Sequence, residues 1–284
     1  MKINQISFVD LYLGDDFADI TGLVGEAERV PAPLALADDI RFLRDACCKQ
    51  FMTLREEEFS LNIEGTIFRV TQYQDVTGKD IFTLRRSAAS IRPMTSLGLG
   101  APILQLLLAK NLRGLVLVAG EMASGKTSTV ASVMVERLKT HGGIGMAIED
   151  PPETPLNGVH GVGRCIQVPV SRRRGGYKEM LTRAMRSGAR NILVGEVRDD
   201  DTAIEVLRAC INGHTILTTI HAGSISQAIE RVQTFCLGKA PNTNSILSEG
   251  LSMVVWQNLE TVTAPPAMSN GPCLLYTSDA ADDT

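Results

Sequence analysis

With 284 residues, 44% of them hydrophobic and 21% charged, and a net charge of −4, the chain has the composition of a soluble globular protein with room for about two domains. The slight acidity argues against wholesale nucleic-acid binding, because neither half is basic enough to follow a phosphate backbone. No apolar run approaches the ~20 residues that span a bilayer, and Met1-Lys2-Ile3-Asn4-Gln5 has no signal-peptide core.

Residues 1–92 read as a separate α+β unit. Short strands are predicted over 8–13 and 19–24, followed by a helix over 38–54 with Ile40, Leu43, Ala46 and Cys47 on one face. The alternation in 59–63, the turn Glu64-Gly65 and the run Ile67-Phe68-Arg69-Val70 predict a hairpin, and 80–85 a further strand. Residues 93–102, rich in Gly and Pro, read as a linker to a second unit over 103–272. There helix and strand alternate: helix 103–111, strand 114–119, helix 126–139, strand 144–149, helix 176–187, strand 191–196, helix 200–211 and strand 214–220. That alternation predicts an α/β domain with a mainly parallel sheet covered by helices. The six cysteines include the vicinal pair Cys47-Cys48 but no C-x-x-C pair, so buried free thiols in a reducing cytoplasm are expected. Residues 273–284 resemble a translated sequencing adaptor and are set apart from fold reasoning; the natural chain is expected to continue beyond about Pro272.

The apolar run 115–119 leads into Gly120-Glu121-Met122-Ala123-Ser124-Gly125-Lys126-Thr127, a complete G-x-x-x-x-G-K-T phosphate loop between a strand and a helix. The glycines lack the Cβ that would block tight turning and the approach of phosphate. These residues and Ser128 are the predicted nucleotide contacts, with Lys126 on the β- and γ-phosphates and the Thr127 hydroxyl on Mg²⁺. The helix N-terminus adds its positive dipole end. Val130, Val133, Met134 and Leu138 give that helix one apolar face.

Ligands in open α/β sheets sit at the carboxyl ends of strands, and each later strand here ends in reactive side chains. One ends in Glu149-Asp150-Pro151, one in Glu196 with Arg198 just beyond, and one is bracketed by His214 and His221. Triphosphate hydrolysis needs a carboxylate to orient the attacking water and others to organise Mg²⁺. Singly, each carboxylate reads as readily as a helix cap or a surface group.

Three ordered segments beyond the phosphate loop resemble one family. Ile148-Glu149-Asp150-Pro151 looks like the Asp box of the PilT-like secretion ATPases of type II and type IV secretion and pilus systems. Residues 192–199 look like their Walker B segment, and Gly213-His214-Thr215 through His221-Ala222 like their His box. The likeness runs over about residues 8–258 and is greatest to the conjugation and Dot/Icm branch of TraJ and DotB. It implies a PAS-like N-terminal domain followed by a RecA-like ATPase domain. It also implies ATP and Mg²⁺ as ligands, a homo-hexamer, and inner-membrane secretion or pilus platform partners at the cytoplasmic face.

From the resemblance, Lys126, Glu149, Glu196 and His221 are the catalytic set, with Thr127 and Glu196 serving Mg²⁺ and the assignment of general base between Glu149 and Glu196 left open. Asp150, Arg198 and His214 belong to the motifs; His214 reads equally as a hydrogen-bonded structural histidine. Arg69 and Arg85 would reach a nucleotide across a domain or subunit boundary, the alternative being solvent-facing strand arginines. Residues 172–174, three arginines, form a solvated loop or a subunit or lipid-headgroup contact. Glu121-Met122-Ala123 departs from the family's Pro-Thr-Gly, but these positions supply backbone donors. The tetracysteine zinc module of the GspE branch is absent from this sequence, as is the helical region expected after Gln257. A RecA-like nucleic-acid motor and a non-hydrolytic, nucleotide-regulated assembly subunit are the competing readings.

Overall fold

The computed structural model describes residues 3–259, except 4, 5, 7, 24, 27, 88–90, 172 and 174, together with the backbone of 274–275. The adaptor-like tail otherwise lies outside the described residues, as do two of the three loop arginines at 172–174. The chain divides into two compact units, one of Met1–Ser90 with Asp150–Pro155 and one of Ile91–Glu149 with Leu156–Thr284. Among the described residues no helix is long and apolar enough to cross a membrane.

The first unit is an antiparallel sheet with one long helix on its apolar face. Its elements are β1 (Asp10–Leu13), β2 (Ala18–Thr21), β3 (Arg29–Pro31), α1 (Ala37–Leu54), β4 (Glu58–Ile63), β5 (Thr66–Gln74) and β6 (Asp80–Arg86), in the strand order β3-β2-β1-β6-β5-β4. Glu64 and Gly65 both have positive φ, 49° and 84°, as the predicted two-residue hairpin turn requires. Leu43 and Cys47, one helical turn apart on α1, pack into a core with Leu11, Leu13, Ile20, Phe68, Val70, Phe82 and Leu84.

The second unit contains α2 (Ala101–Leu107), β7 (Gly114–Gly120), α3 (Lys126–His141), β8 (Gly143–Glu149), β9 (Gly158–His160), β10 (Gly163–Pro169), α4 (Gly176–Arg186) and β11 (Asn191–Val194). It continues with α5 (Asp200–Cys210), β12 (Thr215–His221), α6 (Ile225–Cys236), α7 (Thr243–Gly250), β13 (Leu251–Leu259) and the backbone pair β14 (Leu274–Leu275). The strand order is β14-β13-β7-β12-β11-β8-β10-β9, parallel from β13 to β10 and antiparallel at both edges. Alternate residues of β7 feed opposite cores: Leu115 and Leu117 pack with α4, α5 and α6, whereas Val116 and Val118 pack with α3.

Two sequence expectations change here. The apolar stripe predicted on α3 is buried, but so are Thr129, Ser132 and Arg137, because Met94, Leu97, Leu99 and Leu107 pack against α3 in the core that it shares with the sheet. The strand predicted over 191–196 stops at Val194. Beyond it the chain crosses to β12, where Thr219 Oγ1 donates to Gly195 O (2.8 Å) and Val197 N donates to Thr219 O (2.9 Å), so Glu196 stands on a turn past the sheet.

Candidate active site

The phosphate loop joins β7 to α3, as its sequence requires, and its backbone is shaped to leave a hollow. Gly125 takes φ +87° as the residue capping α3. A Cβ on Gly120 would lie 2.3 Å from Gln257 O and 2.5 Å from Ser124 Oγ, so only glycine fits there. Glu121, Met122 and Ala123 form the exposed rim, while Ser124 and Lys126 are buried and Thr127 and Ser128 half-buried.

Lys126 is 6% exposed, and its ammonium donates to Glu121 O (2.6 Å) and lies 3.4 Å from His221 Nδ1. Burial lowers its pKa, and the nearby Glu196 opposes that shift. His221 ends β12 directly beside Gly120 in register. Its Nε2 lies 3.2 Å from Glu196 Oε1, and Glu196 Oε2 accepts from Arg198 Nε at 3.0 Å. A line of contacts therefore runs Lys126–His221–Glu196–Arg198 across the ends of three elements. The His221 pKa is lowered, first by burial and then by Lys126, with Glu196 acting in the other direction and Arg231 and Arg198 adding to the lowering.

Glu149, 3% exposed, ends β8 and accepts a hydrogen bond from Gln167 Nε2 on β10. Its side chain abuts Gly195, where an added Cβ would meet Glu149 Cγ at 3.4 Å. Glu196 rather than Glu149 thus joins the Lys126–His221 line. Asp150 opens the segment 150–155, which belongs to the first unit. There Ser60 Oγ donates to Pro152 O (2.9 Å), Ser87 Oγ to Glu153 O, and Arg69 Nη1 lies 3.5 Å from Glu153 Oε1.

The two candidate arginines of the first unit are register partners, Arg69 opposite Arg85, and Arg85 is in turn opposite Asp10. Arg85 grips Asp10 with both Nε (2.7 Å) and Nη2 (2.9 Å), whereas Arg69 has the longer contact to Glu153. His214 is not brought to the loop. It precedes the other end of β12, about 20 Å away at the strand rise, and its Nδ1 bonds Ala189 O at 2.9 Å. Sequence reasoning missed Gln257, fully buried on β13, and Arg231 on α6. A glutamine directly after the apolar run Met253-Val254-Val255-Trp256, on the same strand, was the available signal for the first; nothing local marked the second.

The site fits a polyphosphate. A desolvated ammonium, the α3 N-terminus and the buried Ser124 Oγ, which has no hydrogen-bond partner among the described residues, converge on a loop that side chains would fill. No cluster of three or more metal-binding side chains occurs among the described residues. A Mg²⁺ ion takes most of its ligands from phosphate and water.

This fold and loop define a P-loop ATPase with a RecA-like core. Residues 68–269 match the family described as Type II/IV secretion system protein, and the chain belongs to that family. It is 31% identical over 261 residues to the type IV pilus retractation ATPase PilT of Pseudomonas aeruginosa, covering 88% of this chain and 73% of that one. It is 29% identical over 247 residues to a twitching motility protein of Neisseria gonorrhoeae, covering 83% of this chain and 63% of the relative's length. Among solved structures, the pilus retraction motor PilT with bound ADP aligns at TM-score 0.75 and 25% identity, over 99% of this chain and 84% of that chain. The ATPase DotB of Legionella pneumophila aligns at 0.71 and 19% identity, over 92% and 74%, a likeness of fold.

Proposed function

We propose that the chain is an ATP-hydrolysing motor subunit that powers type IV secretion, conjugative transfer or type IV pilus dynamics. The single observation that carries this reading is the contact line Lys126–His221–Glu196 beside a phosphate-shaped loop. Bound Mg-ATP would supply the polarised γ-phosphoryl group. Lys126 leaves Glu121 O to meet the β- and γ-oxygens, and the backbone N–H groups of the loop hold the remaining charge. Thr127 and Glu196 would hold Mg²⁺, which would draw charge from the phosphate oxygens. Glu196 also orients the attacking water, which leaves Glu149, bound by Gln167, to support the turn at Gly195. His221 joins the phosphate-binding ammonium to the water-orienting carboxylate.

Membership of the secretion family supports assembly as a hexamer on an inner-membrane platform at the cytoplasmic face. In such a ring Arg69, and less readily the Asp10-bound Arg85, reaches the nucleotide of a neighbouring copy. A trans arginine stabilises the transferring phosphoryl group by about 10³-fold or more in rate.

The test is Mg²⁺-dependent ATP turnover by the wild-type chain beside Lys126→Ala. Turnover lost in the variant is expected; full turnover in the variant refutes the site. Stimulation by nucleic acid would favour a nucleic-acid motor, and binding without turnover a nucleotide-regulated assembly subunit.

A further inference from the structure

Gln257 lies on β13, outside the motifs, yet its side chain reaches the phosphate loop. The strand pairs in register with β7, Trp256 opposite Ala119 and Gln257 opposite Gly120. The side-chain amide is fully buried: Nε2 donates to Ser124 O, and Oε1 accepts from Thr129 Oγ1 at 2.8 Å. One residue thus clamps the loop to the first turn of α3. Both motif glycines are fitted to it. A Cβ on Gly120 would strike Gln257 O at 2.3 Å, and one on Gly125 would lie 3.2 Å from Gln257 Nε2.

We propose that Gln257 is the positioning residue for nucleotide binding: it presets the Ser124–Gly125 peptide so that the Gly125 N–H is aimed at phosphate before the ligand arrives. The physical cause is peptide planarity. In a trans peptide the C=O and the following N–H point in opposite directions, so holding Ser124 O toward β13 turns the Gly125 N–H away from it. Ser124 O, which can only accept, fixes which way the amide faces, and Thr129 anchors its other end. The Thr129 hydroxyl donates to Oε1, and a flipped amide would oppose two oxygens at Ser124 O. Without the clamp the Ser124–Gly125 peptide is free to rotate, and the donor must be ordered at the expense of binding.

This inference rests on the nucleotide-site reading above, and the test separates the two. Affinity for a fluorescent ATP analogue with Mg²⁺, steady-state ATP kinetics and thermal midpoint are measured for the wild-type chain, Gln257→Leu, Thr129→Val and the double variant. Gln257 touches no reacting atom, so its loss removes binding that ground and transition states share. Kd and KM should therefore rise about tenfold in Gln257→Leu while kcat stays within about twofold. Thr129→Val, nearly isosteric, should raise Kd in the same direction. Because both act through one amide, the double variant should bind no worse than Gln257→Leu. A lowered midpoint with unchanged Kd, or additive losses in the double variant, overturns the inference. If Gln257→Leu does not fold, Thr129→Val decides alone, and wild-type affinity in it overturns the inference. A wild-type chain that binds no nucleotide fails the site reading and takes the inference with it.

Discussion

His221 Nε2 lies 3.2 Å from Glu196 Oε1, and Nδ1 of the same ring lies 3.4 Å from the Lys126 ammonium. An ammonium can only donate and an ionised carboxylate can only accept, so the ring that satisfies both is neutral, with its proton on Nε2. Protonating it would set a second cation against Lys126, which agrees with the lowered pKa.

That relationship predicts a pH dependence. A histidine whose folded pKa is below the unfolded value of about 6.5 contributes stability that is present above that pH and is lost as pH falls through the folded pKa. The wild-type chain should lose more stability between pH 7.5 and 5.5, both about where the imidazole titrates, than His221→Asn does. Urea denaturation at the two pH values checks this, and parallel losses in both proteins would contradict it.

Ala123 has φ +59° on the exposed rim of the loop, a left-handed conformation that costs a Cβ-bearing residue about 1–2 kcal/mol. Glycine removes that strain, and its greater unfolded-state freedom takes back part of the gain. Ala123→Gly should therefore stabilise the chain by about 0.5–1 kcal/mol, read as a thermal midpoint higher by about 2 °C, with nucleotide affinity changed less than about threefold. An unchanged or lower midpoint would show that the rim is unstrained.

Arg137 is 1% exposed and donates to Asn191 Oδ1 (2.7 Å), Leu107 O (2.6 Å) and Ala109 O (3.0 Å), with no carboxylate partner among the described residues. Burial, with Arg190 adding to it, lowers its pKa to about 10, so it stays charged near neutrality. It ties the last residue of α2 and the turn after it to the start of β11, at the end of the sheet away from the loop. Arg137→Met should cost about 3 kcal/mol in urea denaturation, because buried acceptors lose their donor, while nucleotide affinity is retained. Lost affinity at retained stability would contradict this placement.

Much of the catalytic unit was legible because its strands are continuous apolar runs that end in functional side chains. The loop with Lys126, the carboxylate Glu196 and the strand end at His221 were read locally and meet in space, although Glu196 stands on a turn rather than on the strand expected. What escaped depends on contacts distant in sequence. Arg137 sits on a stretch of α3 that reads as solvent-facing until the segment from Met94 to Leu107 packs against it. The edge strands β9 and β10 and the clamp at Gln257 are defined by pairing with β8 and β7, which no local period reveals. Arg85 reads as a free strand arginine because Asp10, its bidentate partner, is 75 residues away. His214 shares a motif with His221, yet a full strand length separates them.

The most direct measurement is single-turnover ATP cleavage by Glu196→Gln at saturating nucleotide, beside its affinity for the same nucleotide. If Glu196 orients the attacking water, affinity stays within about threefold of the wild-type value and cleavage slows by about 10²-fold or more. Cleavage at the wild-type rate, or affinity lost in step with cleavage, would contradict a hydrolytic role for the Lys126–His221–Glu196 line.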